Sequence, residues 1–210
     1  QTLCTLYGLG EEVTLALLAS TQASLEPGWW EGYSSLDAEA PLYYGLEAVA
    51  IAIESFQALV LPGLLQTSAY PAALLAGVRP AGEIPPDAVT QRVAARRQRQ
   101  EVLRAGGGRR FHFVLDEADL RRRVGSPAVM VEQFDLLLTV AALPDVTIQV
   151  VPFGAGAHPG LDGSFTIHGF DRERQQRDAV VVEGLAGNLI IDNPTDVTAY
   201  RSVFEVLTRV

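Results

Sequence analysis

Residues 111–151, FHFVLDEADLRRRVGSPAVMVEQFDLLLTVAALPDVTIQVV, contain the clearest succession of strand and helix patterns in the chain. The stretch opens with FHFVLD, in which apolar residues alternate as they do in a strand, and closes with VTIQVV, which is rich in β-branched residues. Between them, Pro127 begins a segment whose apolar residues recur at helical intervals. This order of strand, helix and strand predicts a β-sheet with helices packed against it.

Upstream of this stretch, the patterns add one strand and two helices. Residues 46–63 are ambiguous, but the alternation of apolar residues at 49, 51 and 53 favours a strand over a helix. Thr67 is placed to cap a short helix that ends at Gly77. A longer helix is expected over residues 87–104.

Downstream, the patterns predict short strands within residues 163–170, 179–184 and 188–192, followed by a final amphipathic helix over 195–209. Strands and helices alternate only in part of the chain. We therefore expect an α/β or α+β domain with one mixed β-sheet covered by helices.

The N-terminal part is expected to form a separate piece. Residues 11–24 have acidic residues in the first turn and apolar residues at helical spacing, which predicts a helix. The next segment is rich in aromatic residues, so we expect an aromatic-packed linker and a boundary near residue 28, which divides the chain into 1–28 and 29–210. Trp29, Trp30 and Tyr33 are the candidate interdomain residues; in the alternative interpretation they only complete the core.

The composition indicates a folded domain in a reducing compartment. With 210 residues, 48% of them hydrophobic, the chain can bury a substantial core. The single cysteine, Cys4, excludes an internal disulfide and favours a cytoplasmic location. No run approaches the ~18 consecutive apolar residues of a membrane helix, and no secretion signal is recognisable, so we expect no membrane association.

The charge balance argues against direct binding of nucleic acid by this chain. It has 25 acidic residues against 16 basic ones, a net charge of −9. This charge is a poor match to a phosphate backbone, so we expect weak binding to DNA. All the basic residues are arginines, which excludes chemistry that requires lysine, such as a Schiff base.

The sequence contains no recognisable catalytic or metal-binding motif. A Gly-x-Ser-x-Gly elbow and a dinucleotide-binding pattern are absent, and the three histidines lack metal-ligand spacing. We therefore expect a binding domain that is not an enzyme and needs no cofactor.

The loop GAGAHPGLDG, residues 154–163, is the first candidate site because functional residues concentrate in loops held by a scaffold. His158 and Asp162 supply polar groups, and Gly156 and Gly160 let a ligand approach the backbone. In the alternative interpretation the loop is a crossover whose histidine satisfies nearby carbonyls. A further hypothesis is an enzyme or degraded enzyme fold with a pocket near His158, completed by Asp162 and Glu183.

The helix expected over residues 87–104 is the most basic stretch of the chain. Its arginines, among them Arg96 and Arg97, are candidates for binding an acidic partner or a phosphate. The acidity of the chain favours the alternative, in which they form a solvated face paired with carboxylates.

Several blocks in this order resemble a known family. They are LCTLYGL at 3–9, LVLPGLLQTSAYPAALL at 59–75, RRQRQEVL at 96–103, LDEADLRRRVGSPAVMVEQ at 115–133 and VPFGAGAHPGLDGSF at 151–165. Together they are similar to actinobacterial XRE-type helix-turn-helix transcriptional regulators that carry a C-terminal domain of unknown function.

The resemblance implies a regulatory role for this chain. Residues 1–28 correspond to the last helix of a helix-turn-helix domain and the start of the linker, so DNA binding would belong to a domain upstream. It implies a small acidic protein partner, a possible small-molecule effector and a homodimer. The segment PGLLQT, with Gln66, is one of its signatures and is a candidate ligand or partner surface. A purely structural dimerisation domain remains the further alternative.

Overall fold

The computed structural model describes residues 28–34, 36, 40–78, 85–104, 108–171, 177–184 and 187–210. The chain divides into two compact units, Gln1–Gly32 and Tyr33–Val210. In the first, the described residues form a single 3-10 helix, Trp29–Gly32. Cys4 and the helix expected over 11–24 lie outside the described residues.

The second unit has helices before, between and after its strands. They are α1 (Ala40–Val49), α2 (Ala69–Val78), α3 (Pro86–Arg99), α4 (Glu101–Arg104), α5 (Glu117–Arg121), α6 (Pro127–Ala141) and α7 (Pro194–Leu207). Short 3-10 helices cover Gly63–Leu65, Phe153–Ala155 and Pro159–Asp162. None of the helices described is both long and apolar enough to cross a bilayer.

The strands form one mixed sheet. They are β1 (Ala52–Gln57), β2 (Arg110–Asp116), β3 (Val146–Val151), β4 (Phe165–Gly169), β5 (Ala179–Gly184) and β6 (Gly187–Ile191). Their order is β3-β2-β1-β4-β5-β6; β1, β2 and β3 are parallel, and each pair from β1/β4 to β5/β6 is antiparallel. The expected mixed sheet covered by helices is confirmed.

Helices cover the sheet on both faces because successive strand residues point to opposite sides. On one face, Ile53, Phe113 and Leu115 pack with residues of α2, α4 and α6. On the other, Phe56 and Val114 pack with residues of α7. The result is a layer of helices, a sheet and a second layer of helices, each layer contributing apolar side chains to a core.

Two expectations for the region before β2 need correction. The segment expected to be a strand from residue 46 is helical as far as Val49, and the strand begins only at Ala52. The helix expected over 87–104 breaks at Gln100, between α3 and α4. The side chain of Gln100 donates a hydrogen bond to the carbonyl of Leu64 at 3.1 Å, which fixes this break against the loop after β1.

Candidate functional site

A cavity of about 480 Å³ lies at the carboxyl end of β1. Ligands of open α/β sheets commonly bind at this edge, next to a change in strand order. Strand β5 has the same direction as β1, so its carboxyl end contributes to the same wall. The polar residues of the lining are Tyr43, Tyr44, Gln57, Gln66, Arg96, Arg99, Glu183 and Asn188. The volume falls within the range of small-molecule sites.

A buried ion pair between Arg99 and Glu47 lies beneath this cavity. The Nε atom of Arg99 donates to Oε2 of Glu47 at 2.7 Å, and Nη2 donates to Oε1 at 2.5 Å. The side chains are only 8% and 5% exposed. Burial disfavours the charge of Arg99, but the Glu47 carboxylate more than offsets this and keeps the pKa of Arg99 well above its usual range. The two charges therefore neutralise each other.

Two aromatic rings hold the guanidinium of Arg99 in place. Its Cζ atom lies 4.8 Å from the ring centroid of Tyr43 and 4.9 Å from that of Tyr44. A guanidinium over an aromatic face is attracted by the ring quadrupole, and the attraction grows when water is excluded. Helix α1 thus supplies both the counter-charge and the aromatic packing for an arginine of α3.

Arg96 lies one turn before Arg99 on α3 and differs from it in having no carboxylate partner. Its Nε atom donates to Oε1 of Gln66 at 3.0 Å, and neither terminal amino group has a hydrogen-bond or ion-pair partner among the described residues. Burial, followed by repulsion from Arg99, lowers the pKa of Arg96, while Glu183 acts in the opposite direction. The cavity therefore contains a partly buried positive charge that is not neutralised by direct contact.

The loop after β1 is held rigidly by side chains from other elements. Gln66 donates from Nε2 to the carbonyl of Leu61 at 2.7 Å, and Gln100 donates to the carbonyls of Leu64 and Gln66. A Cβ atom at Gly63 would lie 2.8 Å from Nη1 of Arg99, so a larger residue there would have to displace the guanidinium.

Helix α6 fixes the other end of the same loop. The side chain of Gln133 is fully buried; Nε2 donates to the carbonyl of Leu65 at 2.5 Å, and Oε1 accepts from the amide of Thr67 at 2.8 Å. Thr67 caps α2, with its hydroxyl accepting from the amide of Tyr70 at 3.3 Å. Buried polar groups that are fully paired give a site a unique geometry.

Comparison with known protein families assigns the domain that contains the cavity to one of them. A family model described as Domain of unknown function (DUF5753) matches residues 41–210. The chain belongs to the DUF5753 family. The match begins within α1, at its second residue, and includes every strand of the described sheet. No curated protein and no solved structure matches the chain.

The DUF5753 domain brings together two residues singled out in the sequence. Gln66 and Arg96 are hydrogen-bonded to each other and line the cavity. Arg97 is exposed and does not belong to the cavity wall. The expectation of a solvated arginine face is wrong for Arg99, which is buried because it pairs with Glu47.

The glycine-rich loop at residues 154–163, the first candidate site in the sequence, does not line the main cavity of the DUF5753 domain. The side chain of His158 is 5% exposed, and its Nε2 atom lies 3.6 Å from Oδ2 of Asp116. Its Nδ1 atom has no hydrogen-bond partner among the described residues, so it does not satisfy nearby carbonyls. Gly160 packs against the ring of Phe56, where a Cβ atom would overlap, and Gly156 is exposed with a φ of 72°.

The three residues of the hypothetical enzyme site do not line one cavity. Glu183 lines the main cavity, and Asp162 lines a separate one of about 190 Å³ next to Tyr200. His158 is in neither lining. Across the described ranges, no group of three or more His, Cys, Asp or Glu side chains is arranged to hold a metal ion.

The candidate interdomain residues fall on both sides of the division between the units. Trp29 and Trp30 contact each other edge to face, with ring centroids 5.7 Å apart. Tyr33 belongs to the second compact unit, where its hydroxyl donates to Oε1 of Gln98 on α3 at 2.9 Å. That these aromatics dock two domains stays a prediction.

Sequence reasoning missed Tyr43, Tyr44 and Glu47 as residues of the site. Both tyrosines fall in the segment expected to be a linker, whereas the structure places them on α1. Arg99 carried a usable signal, since residues three apart on a helix share a face and Arg96 had been singled out. The pairing of Arg99 with Glu47 left no signal in the sequence, because the two residues are 52 positions apart and local patterns do not report such contacts.

Two buried titratable side chains of the DUF5753 domain lie outside the main cavity's lining. Asp119 is fully buried, and neither carboxylate oxygen has a hydrogen-bond partner among the described residues. Burial, followed by repulsion from Asp116, raises its pKa to about 7. His168 is also fully buried beside Tyr43, and burial, followed by repulsion from Arg99, lowers its pKa to about 4.

Proposed function

We propose that this DUF5753 domain is the effector-sensing regulatory domain of a DNA-binding transcriptional regulator that acts in the cytoplasm. The observation that carries the proposal is the cavity of about 480 Å³ with Arg96 in its wall. A concave site with a few oriented polar groups is the usual form of a small-molecule site. The resemblance of several sequence blocks to XRE-type regulators supports the regulatory context.

Helix α3 connects the cavity with the start of the second compact unit. Arg96 and Arg99 of this helix line the cavity. Elsewhere on it, Gln98 accepts a hydrogen bond from Tyr33 at 2.9 Å and Gln91 accepts one from Ser34 at 3.3 Å. If α3 can adopt two placements, a ligand that binds better to one of them would favour it. The conformation of Tyr33 and Ser34, which are hydrogen-bonded to α3, would then change with ligand binding.

The partners proposed for the full-length protein follow from this role. They are DNA, through a helix-turn-helix domain upstream, a second copy of the chain, and a small acidic protein. A dimer would present two DNA-binding heads at a fixed separation, as operators with two half-sites require.

Dimerisation by the domain itself is a second candidate function, favoured by an apolar stripe on α6. Val131, Phe134 and Leu138 lie on one side of the helix and are 60%, 37% and 73% exposed. Contiguous exposed apolar side chains commonly mark an interaction surface. Both functions can belong to one domain.

Binding of the full-length protein to its own promoter region tests the regulatory proposal. We expect a mobility shift with the upstream domain present, and an altered affinity when Arg96 is replaced by Gln. The exposed Arg97, replaced in the same way, is the control and should leave the affinity unchanged. A full-length protein that does not bind its promoter would overturn the proposal.

A further inference from the structure

We infer that the cavity binds a small molecule through one carboxylate group, which docks against the two terminal amino groups of Arg96. This inference rests on the proposed function, because it names the chemistry of the effector. It concerns the ligand only and makes no assumption about the DNA sequence that the regulator reads.

The charges of the site select a single anionic group. Arg99 is neutralised by Glu47 at two contacts, so its charge is not available to a ligand. Arg96 has no such partner among the described residues, and it lines the cavity. A partly buried cation is stabilised by an anion because Coulomb interactions strengthen as water is excluded.

The geometry of Arg96 selects a planar, two-oxygen acceptor. Because Nε is occupied by Gln66 at 3.0 Å, the edge formed by Nη1 and Nη2 is the part that remains. Two parallel hydrogen bonds from a guanidinium edge to a carboxylate are the strong, bidentate form of this interaction. Gln66 is itself fixed by Leu61, so the guanidinium is held in position before a ligand arrives.

The surroundings favour a carboxylate over a doubly charged phosphate. Glu183 lines the same cavity and contributes a negative charge that opposes a second charge on the ligand. The remainder of the lining is mixed, with Val60, Pro62 and Leu74 beside the polar Gln57 and Asn188, so it accommodates a body that has both polar and apolar parts. The ligand class is therefore a small monocarboxylate.

Paired probes of equal shape separate the charge from the rest of the molecule. We would titrate the ¹⁵N-labelled 210-residue chain with benzoate and with hexanoate, each against its primary amide, and with phenyl phosphate, following amide and arginine side-chain resonances. The carboxylates should perturb Arg96 and Tyr44, and each amide should bind at least about tenfold more weakly, since a charge-assisted bidentate contact is lost. Phenyl phosphate should bind no more tightly than benzoate.

Arg96→Gln and Arg97→Gln form a matched pair, since they remove the same charge from neighbouring positions of α3. We expect Arg96→Gln to weaken carboxylate binding at least about tenfold and Arg97→Gln to change it less than about twofold. Arg96→Lys, which keeps the charge but loses the planar edge, should fall between them. Unchanged dispersion of the amide spectrum establishes that each variant is folded.

Several outcomes would overturn the inference: equal binding of benzoate and benzamide, tighter binding of phenyl phosphate, an equal loss in the two arginine variants, or no perturbation by any carboxylate. None of these touches the promoter-binding test. If the full-length protein binds its promoter but the chain binds no carboxylate, the proposed function stands and this inference is wrong. If the chain binds carboxylates through Arg96 but the full-length protein does not bind its promoter, the ligand chemistry stands and the proposed function is wrong.

Discussion

Arg99 and Glu47, which are 52 positions apart in the sequence, form a two-point ion pair that joins α3 to α1 under the floor of the cavity. Both side chains are buried, and the guanidinium lies against two tyrosine rings. Removing charges from water is costly, so a pair of this kind is a strong constraint only while both partners are present.

Replacing one partner should therefore lower the free energy of unfolding much more than replacing both. We expect Glu47→Ala to lower the free energy of unfolding by about 3 kcal/mol or more, because Arg99 is left buried without its counter-charge. The double variant Glu47→Leu with Arg99→Met should lie nearer to the native chain than Glu47→Ala does. Urea denaturation at pH 7 measures both. A loss below about 1 kcal/mol for Glu47→Ala would contradict the burial of the pair.

Asp119 should destabilise the domain at neutral and alkaline pH. Its pKa is about 7 in the folded protein, against 3.8 as its ordinary value. The cost of the buried charge is therefore absent below about pH 4, grows as the pH rises from about 4 to 7, and stays constant at higher pH. We expect Asp119→Asn to raise the free energy of unfolding on the order of 2 kcal/mol at pH 8 and to have little effect at pH 4. Thermal denaturation across this range checks it, with Asp135→Asn on the exposed side of α6 as control.

His168 should act in the opposite direction. Its pKa is about 4 in the folded protein, against an ordinary value of 6.5. The folded state therefore resists protonation, and stability is lost as the pH falls from about 6.5 to 4. His168→Phe keeps the edge contact with Tyr43 and should remove this loss. A pH profile unchanged from that of the native chain would show that His168 does not set it.

The apolar stripe on α6 should be an interface between two copies of the chain. Leu138→Glu places a charge at its most exposed position, which is 73% accessible. We expect this change to convert a dimer to a monomer without lowering the melting temperature, since the leucine contributes little to the core. Light scattering gives the mass. Leu161→Glu, at a position 67% exposed outside the helix, should leave the dimer intact.

The proposed regulatory function predicts that Trp29 and Trp30 couple the occupancy of the cavity to binding of DNA. Replacement of Trp29 and Trp30 by Ala should weaken the effect of benzoate on promoter affinity in the full-length protein while the DUF5753 domain stays folded. Large aromatic side chains in a short connection dock more readily than they swing freely, which is the physical reason for the expectation. Gel mobility at saturating and zero benzoate measures the coupling. An undiminished effect in the folded double variant would reject it.

The strands of this fold are readable in the sequence, but their arrangement is not. FHFVLD and VTIQVV reveal themselves because alternation is a local pattern that needs no knowledge of the partner strand. The order β3-β2-β1-β4-β5-β6 depends on pairings between distant segments. Local propensity also misled: Tyr43 and Tyr44 follow glycine and serine residues typical of a linker, yet they lie on α1.

The candidate site was accessible to sequence reasoning in the same partial way. Gln66 and Arg96 came from a signature segment and a basic helix, and the structure joins them by a hydrogen bond at 3.0 Å. His158 attracted attention because glycines surround it, but those glycines serve the chain itself, as Gly160 does by packing against Phe56. A glycine-rich loop indicates that another group packs closely against the backbone, but the sequence does not show whether that group is a ligand or a side chain of the same chain.

Gln133 and Gln100 fasten the loop after β1 from two different helices, and this has a consequence for the entropy of binding. The backbone of that loop has already lost its conformational freedom during folding, so a ligand that enters the cavity does not need to order it. The entropic penalty of association is then confined to the ligand and to the side chains at the mouth, such as Glu183. A weak, small effector can thus occupy the site without that loop having to reorganise around it.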